Sequence, residues 1–185
     1  MAARSSLLRV ARSLAGPLLS LCLVLAPVEQ AAQAADPGAL PPSRRGSGLP
    51  IPRFASLRSD EVNVRTGPGT RYPVDWVFKR KGMPIEIVAE YENWRKIRDW
   101  QGASGWVHQS LLAGKRGFII PTKAVSLHRT PATSAEVVAK LEPEVMGEIR
   151  SCSGDWCRVK VSGNGVSGWL ERTDFWGVYK SEPIN

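Results

Sequence analysis

At 185 residues the chain has room for one ordinary domain or two very small ones, and its 17 glycines and 14 prolines suit many turns between short strands. Two histidines and three cysteines, scattered along the sequence, exclude a clustered metal site, a Cys–His nucleophile pair and, with no Gly-x-Ser-x-Gly elbow, a serine hydrolase. The formal charge of +8 favours polyanionic partners.

Residues 1–35 read as a signal peptide. Arg4, Arg9 and Arg12 form a positive start, Leu14 to Leu25 an apolar stretch, and Ala32-Gln33-Ala34 a small-x-small cleavage signal. The apolar run is too short and interrupted for a membrane-spanning helix, so the mature chain is expected to be exported, periplasmic or extracellular, with no integral membrane segment. Cys22 follows the large Leu21, which argues against lipidation. Residues 36–53 are rich in Pro, Gly, Ser and Arg and read as a disordered linker.

The first module, residues 54–114, opens on Val62-Asn63-Val64-Arg65, which alternates as a half-buried strand does. Thr66-Gly67-Pro68-Gly69-Thr70-Arg71-Tyr72-Pro73 follows as a tight basic loop, shaped by Gly67, Pro68 and Gly69, whose glycines permit positive φ. Asp75–Phe78, Pro84–Glu90, Trp94–Arg98 and Gly105–Val107 supply further strands. In the second of these, Ile85, Ile87 and Ala89 are expected on one face and Glu86 and Glu90 on the other, with Glu92 beyond. Short strands joined by tight turns predict a small all-β barrel.

The second module, residues 115–180, repeats that frame. Val64 and Leu127, Pro68 and Pro131, and the Gly-Trp steps at Gly105 and Gly168 are each 63 residues apart, while Trp94 and Trp156 are 62 apart. So steady a shift predicts an internal duplication. The second loop, Arg129-Thr130-Pro131-Ala132, has lost both glycines and the tyrosine, and is expected to take another shape. Cys152 and Cys157 flank a tight turn between two predicted strands, and are expected to form a structural disulfide in an oxidising compartment.

Val62 to Val74, Gly82 ahead of a central strand, Trp94-Arg95-Lys96-Ile97 and Gly105-Trp106-Val107, in that order, resemble the bacterial SH3-like (SH3b) domains of exported and cell-wall proteins. The resemblance implies two tandem SH3-like barrels, the second divergent, and a role in the cell envelope; the expectation of a non-catalytic chain rests on the missing nucleophile and metal constellations. It also puts Trp94, Trp106, Trp156 and Trp169 in the cores.

Arg65 and Arg71 flank the glycine loop, where a guanidinium fork suits a carboxylate. Tyr72, Trp76 and Trp100 are flat surfaces on which a sugar or peptide can lie. These five are the expected ligand-binding residues, with peptidoglycan or its stem peptides as ligand; the alternative is an adaptor for another envelope protein. No catalytic residue, metal or cofactor is expected, and an exported chain is not expected to meet nucleic acid.

Overall fold

The computed structural model describes residues 46–185; the expected signal peptide and most of the expected linker lie outside the described residues. The first module folds into β1 (Arg53–Leu57), β2 (Val62–Arg65), β3 (Val74–Phe78), β4 (Pro84–Tyr91), β5 (Trp94–Arg98), β6 (Ser104–His108) and β7 (Leu112–Ala113). They form one antiparallel sheet in the order β3-β2-β6-β5-β4-β1-β7. Alternation does its work here: Val62 and Val64 are fully buried while Asn63 is exposed, and they meet Leu57, Ile85, Ile97 and Val107 in the core. β1 was not anticipated, because Phe54, Ala55, Ser56 and Leu57 are all buried, and a strand covered on both faces carries no alternation. The stretch read as linker ends on this barrel: Arg53 opens β1, and Ser47 donates to Glu90 through its backbone N–H (2.6 Å) and its hydroxyl (2.7 Å).

The second module supplies β8 (Gly117–Ile119), β9 (Val125–His128), β10 (Val137–Leu141), β11 (Met146–Ser153), β12 (Trp156–Val161) and β13 (Ser167–Glu171), in the order β10-β9-β13-β12-β11-β8. The core gathers Phe118, Ile120, Leu127, Ile149, Val159 and Leu170. Its register copies that of the first barrel down to the irregularities. Val64 faces Trp76 and Arg65 faces Val74 across one bulge, as Leu127 faces Ala139 and His128 faces Val137 across another. The bulge after Ile87 recurs after Ile149. The Gly-Trp step also has one cause in both copies. A Cβ on Gly105 would run into Val64, and one on Gly168 into Leu127, because the closing strand passes directly over the first-loop strand.

The expected solvent face of β4 is corrected: beyond Ile87 a bulge shifts the alternation and turns Glu90 inward, while Glu86, ahead of the bulge, is met by Tyr179 and Arg98. Glu86 and Glu90 are buried, and only Glu92 of the three is exposed. Each buried carboxylate is paired. Glu86 accepts from Arg98 Nε (2.9 Å) and from the Tyr179 hydroxyl (2.7 Å), and Glu90 meets Arg53 and Arg95 as well as Ser47. Glu90 and Arg95 face each other across β4 and β5; the same cross-strand position in the second barrel holds Cys152 and Cys157, joined as the expected disulfide.

The barrels meet along a seam. Phe54 lies against Trp176 edge-on (ring centroids 4.8 Å apart) and against Tyr179 (4.7 Å). Around it, Arg116 donates to the Phe54 carbonyl and pairs with Glu182, and Arg80 donates to the Glu144 carbonyl at 3.0 Å. Burial and the Glu86 carboxylate push the Tyr179 phenol well above its usual pKa, so that it stays a donor.

Candidate functional site: the groove of the first barrel

The loop between β2 and β3 is closed by its own backbone: Thr66 N–H donates to Pro73 O (3.2 Å), Gly69 N–H to Gly67 O (3.0 Å) and Tyr72 N–H to Gly69 O (3.2 Å). Arg65 reaches across it from β2, and one guanidinium nitrogen donates to Tyr72 O (2.7 Å) and Thr70 O (3.2 Å). The half-buried Arg65 is therefore directed into the loop as a clamp. Neither Gly67 nor Gly69 has a positive φ. What demands Gly67 is the Tyr72 ring, which lies on the loop backbone so that a Cβ there would sit 2.6 Å from two of its carbons.

The second loop keeps the shape, contrary to expectation. Arg129 N–H donates to Glu136 O (2.9 Å), Ala132 N–H to Thr130 O (2.8 Å) and Ala135 N–H to Ala132 O (3.0 Å), which is the same set of bonds 63 residues on. His128, at the position of Arg65, repeats the clamp with Nδ1 3.1 Å from Ala135 O. Ala135 stands where Tyr72 would. With no ring to accommodate, the loop needs no glycine.

Facing the first loop is the turn between β4 and β5, and the two walls enclose a groove of about 460 Å3. Pro68, Thr70 and Arg71 line one side, Tyr91, Glu92 and Trp94 the other, with His108 alongside. The turn wall has its own clamp. Arg95 is buried, donating to Glu92 O (2.8 Å), Trp94 O (2.9 Å) and Gln109 Oε1 (2.6 Å), and it holds Glu92 in the left-handed region at φ +48. Trp94 packs edge-on against His108 (5.4 Å), whose Nδ1 lies 2.7 Å from Ser110 Oγ. Arg71 is exposed, stacks over the Tyr72 ring at 5.1 Å, and is kept firmly charged by the hydrogen bond to the Tyr72 hydroxyl. The groove thus presents a cation, a carboxylate and two aromatic surfaces on two braced walls.

Of the expected ligand residues, Arg71 lines this groove, and Tyr72 supports it from behind. Trp76 and Trp100 are half-buried against the barrel core and line no part of it. Trp94, expected in the core, is half-buried at the groove wall; Trp106 is buried, and Trp156 and Trp169 are half-buried. Alternation could have found Trp94: Arg95 and Ile97 face inward along β5, which leaves Trp94 and Lys96 on the outer face.

The family model described as bacterial SH3 domain matches residues 58–114 and 122–177, more than half of the chain. The chain belongs to this family. Both matched stretches fall on the two barrels, so each is one bacterial SH3 domain. A curated relative, the Bacillus subtilis (strain 168) protein named as an N-acetylmuramoyl-L-alanine amidase, YrvJ, is 28% identical over 127 residues, covering 63% of this chain and 24% of that protein. The chain thus spans about a quarter of the relative's length. Among solved structures, NlpC2 from Trichomonas vaginalis matches at 11% identity and a TM-score of 0.32, covering 72% of this chain and 51% of that one. An NlpC/P60 family protein from Bacillus cereus ATCC 10987 matches at 14% and 0.30, covering 71% and 58%.

Proposed function

We propose that the chain is an exported, non-catalytic module that binds the cell wall, and that the groove of its first SH3 domain takes a peptidoglycan stem peptide. The observation that carries this reading is the braced groove itself, where Arg71 stands on one wall and Glu92, with Tyr91 and Trp94, on the other. A stem peptide offers carboxylates to Arg71, amine or amide donors to Glu92, and a flat backbone to the aromatics. Arg65 is a positioning residue: it holds the wall from which Arg71 projects. The relative named for acting on the N-acetylmuramoyl-L-alanine linkage supports a wall substrate for a domain of this kind. A binding rather than catalytic role fits the commitments of the reactive side chains. His108 is tied to Ser110, His128 clamps the second loop, and Cys152 and Cys157 are joined.

The second domain lacks this chemistry at the matching positions. Ser134 stands for Arg71, Ser153 for Tyr91, Gly154 for Glu92 and Glu171 for His108, and only Trp156 answers Trp94. Wall binding is therefore assigned to the first domain alone. Co-sedimentation of the purified chain with sacculi across a salt series tests this. Arg71→Ala and Trp94→Ala are each expected to weaken binding about tenfold with thermal stability unchanged. No binding at low salt would refute the reading and favour an adaptor for another envelope protein, as specific crosslinking would then report.

A further inference from the structure

A second cavity, of about 440 Å3, opens at the seam and takes walls from both domains: Ser56, Arg58, Lys81, Lys115 and Arg116 from the first domain and the connection, and Glu148 from β11. Its charges are unbalanced. Arg116 is committed to Phe54 O and Glu182, and Glu148 pairs with Arg150 at 3.0 Å. Arg58, Lys81 and Lys115 are exposed and make no ion pair or side-chain hydrogen bond among the described residues. Three uncompensated cations converge on one concave surface, where low-dielectric walls focus their field.

Ser56 gives the independent indication. Only 4% of the residue is exposed, and its hydroxyl has no hydrogen-bond partner in the protein among the described residues. It is not a sealed-off polar atom either, so the hydroxyl opens onto the cavity that Ser56 lines. The matching residue of the second domain is the fully buried Ile119. An apolar side chain is thus accepted at this position of the barrel, and the domain beside the cations carries a donor instead.

We propose that the seam cavity binds a phosphate-bearing unit of about the size of a glycerol phosphate or sugar phosphate. Ser56 donates to a phosphate oxygen, and Arg58, Lys81 and Lys115 supply the countercharge. Lysine ammoniums act as point charges that can approach a tetrahedral group from several directions, which suits phosphate better than a planar carboxylate. The volume falls in the range of sites for whole small ligands rather than bare ions. This site is separate from the groove and does not rest on the stem-peptide reading.

Calorimetric titration of the purified chain with sn-glycerol 3-phosphate at low salt tests the proposal, with glycerol as the uncharged control. Saturable binding is expected that fades as salt rises. It should weaken at least about tenfold in a Lys81→Gln/Lys115→Gln variant and several-fold in Ser56→Ala, and stay unchanged in Arg71→Ala. The lysines are exposed, and circular dichroism of the variants checks that the fold is kept. No saturation up to about 10 mM, or binding that survives the double lysine variant, overturns the proposal. Where binding holds, flotation with phosphatidylglycerol vesicles against a soluble poly(glycerol phosphate) distinguishes a lipid headgroup from a free phosphodiester polymer. Either source supports the site.

Discussion

Gly67→Ala is the sharpest test of how the binding loop is built. The added methyl would sit 2.6 Å from two carbons of the Tyr72 ring, against about 3.5–4.0 Å for carbon atoms at rest. The ring must therefore retreat by roughly 1 Å or more, giving up its packing on the loop and its place beneath Arg71. Overpacking of this kind costs about 1–3 kcal/mol. For a body of this size, 2 kcal/mol corresponds to a fall of about 4–8 °C in Tm. Because φ at Gly67 is not positive, the cost belongs wholly to the ring. In a Tyr72→Ala background the same substitution should cost within about 0.5 kcal/mol of nothing. The second domain carries that combination already, with Thr130 and Ala135 in a loop of the same hydrogen-bonding pattern. Urea unfolding of the wild type, the two single variants and the double variant closes the cycle. An equal cost of Gly67→Ala with and without the Tyr72 ring would refute the argument.

Arg65→Ala should destabilise by about 1–3 kcal/mol, since two loop carbonyls lose a charged donor, and His128→Ala by about 1 kcal/mol; chemical denaturation measures both. Reducing the disulfide, or replacing both cysteines by serine, should cost about 2 kcal/mol for so short a loop, read as a lower Tm with dithiothreitol. Burial works to raise the pKa of Glu90, but the hydrogen bonds from Ser47 and Arg53 and the charge of Arg95 outweigh it and hold the carboxyl below its ordinary value of 4.5. Its contribution is therefore complete above pH 4.5 and lost as pH falls from there through the lower folded value, and Glu90→Gln should flatten that acid slope in a stability–pH profile. Tyr179→Phe removes one donor from the buried Glu86 and should cost about 1–2 kcal/mol by thermal melting.

The frame was legible because it is written twice. Val62-Asn63-Val64-Arg65 and Val125-Ser126-Leu127-His128 carry the strand period, and the two Gly-Trp steps mark where strands cross closely. What stayed hidden depends on contacts between distant residues. Nothing local distinguishes a guanidinium that binds a ligand from one that clamps its own loop, so the role of Arg65 emerged only with Tyr72 O and Thr70 O in place. The bulge after Ile87 turned Glu90 inward, and Tyr179 from beyond the last strand of the other barrel met Glu86, so two carboxylates that a plain alternation leaves in water are buried. The loss of glycine in the second loop suggested a new shape, when the cause was the absent tyrosine. Trp94 was misjudged because the family resemblance outweighed the alternation of its own strand.

The seam around Phe54 also bears on how the molecule comes apart. A tandem duplication joined by a slack connection would melt as two beads, each at its own temperature. Here Phe54, from the first strand of one copy, is held by Trp176 and Tyr179, which follow the last strand of the other. Opening either barrel strips aromatic surface from its neighbour and strands Glu86 without its phenolic donor. The two copies are thereby coupled into one cooperative unit: calorimetry should record a single transition whose van't Hoff and calorimetric enthalpies agree, and Phe54→Ala should split it into two.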